Sequence, residues 1–167
     1  MKPEDLEKLK INAQKAEKEN KEFFKKLKKK KPKNLDDIVH ELDEDFFANF
    51  DCLTCANCCK SLGPRILNKD IERLAAHLKI KESDFIAKYL KIDEDKDYVF
   101  KTMPCPFLDS ENYCIVYSQR PKACREYPHT SQKRFYQVLD ETLLNISTCP
   151  AVYDIVEKLK KMPFSKY

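Results

Sequence analysis

Eight cysteines mark where this chain could do chemistry: Cys52-x2-Cys55-x2-Cys58-Cys59, then Cys105, Cys114, Cys124 and Cys149 singly. A thiolate is a soft metal ligand and a nucleophile. A C-x2-C spacing turns the chain tightly enough for two thiolates to converge on one ion. Packing as small hydrophobes, the ordinary fate of buried cysteine, suits one or two of the later single residues but not four within eight positions. Cys58 and Cys59 are informative because adjacent side chains diverge by about 100° on a helix and oppose each other on a strand. They are therefore awkward partners on one tetrahedral ion: either they face two centres, or one ligates while the other packs or reacts. Eight thiols divided four and four suit two zinc ions, or one four-iron cluster with a second centre. Cys105-Pro106 and Cys149-Pro150 repeat the Cys-Pro step that closes ferredoxin ligand runs, so zinc ions and an iron–sulfur cluster both stand as cofactor readings.

Other chemistries find less support. A single glycine, Gly63, excludes the glycine-clustered phosphate cradles and the serine nucleophile elbow. A thiol-dependent redox enzyme is the alternative reading, with Cys59 beside His129 or with Cys52 and Cys55 as a redox pair. The βαβ pattern that surrounds a thioredoxin-like pair is missing, and metal binding without catalysis is preferred. His129 is a candidate ligand made unnecessary by eight thiols, and His40 and His77 read as polar helix positions. Arg120, Lys122 and Arg125 surround Cys124, where they would offset thiolate charge if they are not simply a basic surface turn.

Composition limits the rest. A chain of 167 residues, 42% hydrophobic and 36% charged, holds one domain plus an appendage and does not need cysteines as staples for an undersized core. The opening MKPEDLEKLK precedes no apolar stretch, and no run nears the roughly 18 residues of a membrane span, so a cytoplasmic protein without membrane contact is expected. In that reducing compartment clustered cysteines hold metal more often than they form disulfides.

The net charge of +4 conceals three blocks: thirteen lysines against six acids over residues 1–33, seven acids and no Lys or Arg over 34–51, and a mildly basic remainder. Leu6, Leu9, Ala13, Ala16, Phe23, Phe24 and Leu27 space as one long helix from near Pro3 to Pro32. The lysine run Lys25 to Lys33 reads first as a solvated helix end and second as an arm contacting RNA or anionic lipid, RNA being the nucleic-acid partner weighed for residues 1–33. Asn34 is placed to cap a second helix through Phe47, its acids turned to water or to the basic arm. Asn68 opens a third helix to about Leu78, and Ser83 a fourth through Leu90. Leu74, Leu78, Phe85, Ile86 and Leu90 should meet between the last two. Their faint helix-turn-helix look lacks base-reading side chains. Strands are expected at Tyr98–Thr102, in a hairpin of Pro106–Leu108 with Tyr113–Tyr117, and at Arg134–Val138. A closing helix should follow Pro150. The fold class is α+β, mostly α-helical, with a lysine-rich helical extension at 1–33 and a cysteine-cluster domain at 34–167.

These residues resemble the YkgJ-type cysteine-cluster family of zinc- or iron-chelating domains. Cys52-Leu-Thr-Cys55-Ala-Asn-Cys58-Cys59 matches its CxxCxxCC signature. Pro104-Cys105-Pro-Phe-Leu108, Cys114-Ile-Val-Tyr117, Arg120-Pro-Lys-Ala-Cys124-Arg125 and Tyr127-Pro128 continue the match over about residues 50–150. The resemblance implies that all eight cysteines bind metal or an iron–sulfur centre. A similar cysteine set occurs in flagellin lysine methylases, whose length and glycine-rich cofactor loop this chain lacks. The first 50 residues lie outside the motifs.

Overall fold

A computed structural model describes residues 3–164. Its elements run α1 (Pro3–Lys15), α2 (Glu17–Lys30), α3 (Leu35–Ala48), α4 (Cys52–Cys55), α5 (Asn57–Ser61), α6 (Asn68–Leu78), α7 (Glu82–Tyr89), β1 (Leu90–Ile92), β2 (Tyr98–Phe100), α8 (Lys122–Glu126), α9 (Leu139–Asn145) and α10 (Pro150–Leu159), with 3-10 turns at Tyr117–Gln119 and Phe135–Val138. The chain is mostly α-helical α+β, about 60% helix with one two-stranded sheet. Two units arise: one takes the chain up to Asp51 and resumes at Pro128, and the other is Cys52–Tyr127.

In the first unit, α10 packs on α3 and on α1, and α2 on α9. Apolar residues recur every three or four positions on each helix, so Leu9, Ala13, Phe24, Leu27, Val39, Ile155 and Leu159 are buried together while the lysines and acids stay outside. The expected single N-terminal helix is interrupted at Ala16, although Ala16 N–H still donates to Asn12 O and Asn20 N–H to Ala16 O. Asn20 is a polar member of the buried stripe that the apolar spacing did not reveal. Asn34 does occupy the N-cap position of α3, but no side-chain capping bond forms there. The acids of α3 do more than meet water. Asp36 accepts the amides of Arg134 (2.6 Å) and Phe135 (2.9 Å), Asp43 accepts the buried Thr130 hydroxyl, and Asp45 pairs with Lys158 at 3.2 Å. The strand expected at Arg134–Val138 is instead a 3-10 turn: Asp36 pins two successive amides and Phe135 is fully buried, so no ladder can form. The closing helix begins at Pro150 as expected, with proline at its first turn, where a missing N–H costs nothing.

In the second unit, α6 and α7 pack together and β1 pairs with β2 antiparallel, Lys91 opposite Val99. The cap of α6 is Leu67 rather than Asn68, with the Asp70 carboxylate accepting Leu67 N–H at 3.1 Å, and the cap of α7 is Lys81 rather than Ser83. Leu74, Phe85 and Leu90 meet in one core with Phe100, Phe107 and Val116, and Leu78 and Ile86 pack against it. Phe107 is its aromatic hub, with ring centroids 5.0 Å from Tyr89, 5.6 Å from Phe100 and 6.2 Å from Phe85. Leu90 belongs to a strand, not to the end of α7. The expected cysteine hairpin reduces to one antiparallel bridge, Leu108 with Cys114, because the Asp109 carboxylate folds the loop tightly by accepting the amides of Glu111 and Tyr113. Among the described residues no helix is long and apolar enough to cross a membrane.

Candidate metal centre

The signature folds as two short helical turns. Ala56 N–H donates to Cys52 O across α4, and Ala56 takes the left-handed conformation (φ 49°), which reverses the chain into α5. This places Cys52 in solvent, Cys55 in the interior, and Cys58 and Cys59 half-buried. The expectation that neighbouring thiols diverge is not met: the sulfurs of Cys58 and Cys59 lie 4.0 Å apart. A tetrahedron with 2.3 Å metal–sulfur bonds has an edge of about 3.8 Å, so this separation is compatible with shared ligation.

Backbone bonds then bring distant cysteines to Cys59. Cys105 N–H donates to Cys59 O at 2.8 Å, and a turn closed by Leu108 N–H on Cys105 O leads to the bridge that carries Cys114. Tyr117 N–H donates to Cys114 O and starts the 3-10 turn toward Arg120, whose guanidinium stacks on the Tyr117 ring 3.5 Å from its centroid. After Pro121, α8 carries Cys124. Its first amide, Lys122 N–H, is held at 3.1 Å by Asp70, which also takes Arg73 at 2.6 Å, while Arg73 donates to Arg120 O at 2.8 Å. Asp70, almost fully buried, thus ties three points of the chain around this segment. Its chemistry-free setting in the helical pattern of α6 gave no sequence signal for that role.

Electrostatics mark Cys59, Cys105, Cys114 and Cys124 as one neighbourhood. Cys59 is drawn down to about 7, chiefly by the hydrogen bond from Cys58, against burial and with help from Arg120 and Lys60. Cys105 and Cys114 rest against the apolar core, and burial raises both, Cys105 to about 11. Burial pushes Cys124 up to about 12, reinforced by the other three sulfurs and opposed by Arg120. One thiol ionises near neutrality and three hold their protons. Among the described residues, no group of three or more His, Cys, Asp or Glu side chains is spaced to grip an ion directly. The donor set itself, four thiols with an adjacent guanidinium, has the chemistry of a zinc or iron site.

The remaining candidates are carried by other segments. Cys149 belongs to the first unit, buried at the N-cap of α10. His129 is in that unit too, its Nδ1 3.0 Å from the Gln132 amide, and His40 meets Gln132 O at 3.0 Å. His77 closes α6.

A small, mostly helical unit with a half-buried thiol group on an aromatic core defines the class: a cysteine-cluster protein. Residues 51–149 match the CxxCxxCC family model, described as a "putative zinc- or iron-chelating domain". The chain belongs to that family. It is also 32% identical over 91 residues to an uncharacterised protein of Methanocaldococcus jannaschii, a match covering 51% of this chain and 47% of that relative. The matched segment thus spans about half the length of the curated relative. No solved structure matches the chain.

Proposed function

We propose that the Cys52–Tyr127 unit is a thiolate metal centre that takes zinc ions or an iron–sulfur cluster in the cytoplasm, in a structural or electron-transfer role rather than a catalytic one. What supports this reading is the backbone bond from Cys105 N–H to Cys59 O at 2.8 Å and the 4.0 Å separation of the Cys58 and Cys59 sulfurs, together with the mutual electrostatic influence of Cys59, Cys105, Cys114 and Cys124, up to 65 residues apart in sequence. Cys52, Cys55 and Cys58 adjoin it through α4 and α5. Cys149 completes the eight proposed ligands on the strength of the matched span alone.

Bound zinc or iron would supply charge that holds the thiolates deprotonated and cross-links α5, the hairpin and α8. The protein's own part is to bring the sulfurs together on an apolar floor and to set Arg120 beside them, where a guanidinium offsets part of the formal −2 of a four-thiolate zinc site. Alkylation tests the reading. In native protein, Cys59, the one of the four that ionises near neutrality, should resist iodoacetamide until a chelator or acid strips the metal. Equal labelling before and after verified metal removal would overturn it. A redox-enzyme role would instead show stoichiometric alkylation of Cys59 with metal still bound.

A further inference from the structure

We propose that the C-terminal end of α2 and the loop at Lys133-Arg134 form one surface that binds the phosphodiester backbone of a nucleic acid. Lys26, Lys29, Lys30 and Lys33 are exposed and make no ion pair among the described residues. Lys26 and Lys30 stand one helical turn apart, so they repel each other. Two carboxylates at this end of the unit are already engaged: Asp140 is bound to Lys28, and Asp36 is occupied by two backbone amides.

Those Asp36 bonds extend the surface. They fix Arg134 and Phe135 beside the first turn of α3, three residues after Lys33. Lys31 lies over the Tyr136 ring, 5.1 Å from its centroid, and ties the same loop to the end of α2. Lys133 and Arg134, a hundred residues later in the chain, are thereby exposed at the same end of the unit. Arg134 takes φ 59°, a left-handed conformation uncommon for a residue with a side chain.

A membrane surface is the other anionic partner, and the packing argues against it. A helix that lies in a bilayer interface needs an apolar face to insert. On α2 that face is spent inside the unit, with Phe24 and Leu27 only 2% and 3% exposed. Charge alone remains, which suits a polyphosphate chain read without sequence preference.

Fluorescence anisotropy on the full chain tests this, with labelled DNA duplexes and RNA duplexes of about 20 base pairs, a matching single-stranded RNA, and phosphatidylserine-containing vesicles as separate arms. Six cations each meeting one phosphate give a log–log salt slope of about −5 between about 50 and 200 mM salt. Lys29→Glu with Lys30→Glu, and separately Lys133→Glu with Arg134→Glu, should each weaken binding by about tenfold or more at about 100 mM salt. Lys8→Glu with Lys10→Glu, equal in charge change and also exposed, should weaken it far less. Metal content should be unchanged in all three. The DNA and RNA arms distinguish which backbone is preferred. No binding to any nucleic acid at about 50 mM salt, binding to vesicles alone, full affinity in the Lys133 and Arg134 pair, or an equal loss in the Lys8 and Lys10 pair would each overturn the proposal.

Discussion

Replacing Asp70 by alanine should damage the second unit far more than a single surface carboxylate would. Asp70 accepts Leu67 N–H at 3.1 Å, Lys122 N–H at 3.1 Å and the Arg73 guanidinium at 2.6 Å, with its side chain 2% exposed. Removing one member of a buried ion pair costs about 3–5 kcal/mol. Arg73 keeps 28% of its side chain in solvent and can rehydrate, which places the loss near the lower bound, about 3 kcal/mol. With a urea m-value of about 1.5 kcal/mol/M, the unfolding midpoint should fall by about 2 M. Asp70→Asn keeps an acceptor for the amides but not the charge facing Arg73, and should lose about half as much. Hydrogen exchange locates the effect: Lys122 N–H and the α8 amides that follow should lose protection first, which also loosens the seat of Cys124. A midpoint shift below about 0.3 M for Asp70→Ala, in the range of an ordinary surface substitution, would refute the assignment of Asp70 as the tie between α6 and α8.

Three further outcomes follow from the packing and the thiols. Asn20→Leu should raise the stability of the first unit by about 1 kcal/mol, because Asn20 is buried with its Oδ1 lacking a partner among the described residues; a measured loss would show that the amide is satisfied. Phe107→Ala removes the hub of the aromatic core and should cost about 4 kcal/mol in denaturant unfolding, with Cys105 becoming open to alkylation even in metal-loaded protein; a cost under about 1 kcal/mol would contradict the packing described. Metal affinity should climb with pH, since a group whose proton must leave on binding favours the metal as protons become scarce. Cys59 is largely ionised above about 7 while Cys105, Cys114 and Cys124 keep their protons, so binding to the four should release about three protons at pH 8 and about four below pH 6. In a competition titration the apparent affinity should therefore rise about a thousandfold per pH unit near pH 8; a slope of tenfold or less would exclude four-thiol ligation.

Much of the helical framework is legible in the residues because apolar spacing and helix punctuation agree. Leu35 to Phe47, Asn68 to Leu78 and the segment after Pro150 all repeat at helical intervals, and all three form helices within a residue or two of the expected bounds. Where tertiary contacts decide, local pattern misleads. Arg134-Phe-Tyr-Gln-Val has strand-forming composition, but Asp36, about a hundred residues earlier, captures two of its amides. Leu90–Ile92 is too short for alternation to register and becomes a strand because Tyr98–Phe100 pairs with it. The cysteines announce thiolate chemistry by type and spacing. Their grouping does not follow from spacing, because the bond from Cys105 N–H to Cys59 O joins residues 46 positions apart. Asp70 and Asn20 are single polar residues inside helical stripes, and only burial distinguishes them from surface positions.

Metal and labile sulfide content of the full chain, purified without oxygen and without added metal, tests the proposed chemistry most directly. The expected result is zinc or iron bound in at least stoichiometric amount, falling sharply when Cys59 and Cys124 are both replaced by serine. Sulfide and a brown colour would accompany iron in a cluster, whereas zinc would leave the protein colourless. Folded protein carrying neither metal, with Cys59, Cys105, Cys114 and Cys124 all titrating as accessible thiols, would contradict a thiolate metal centre.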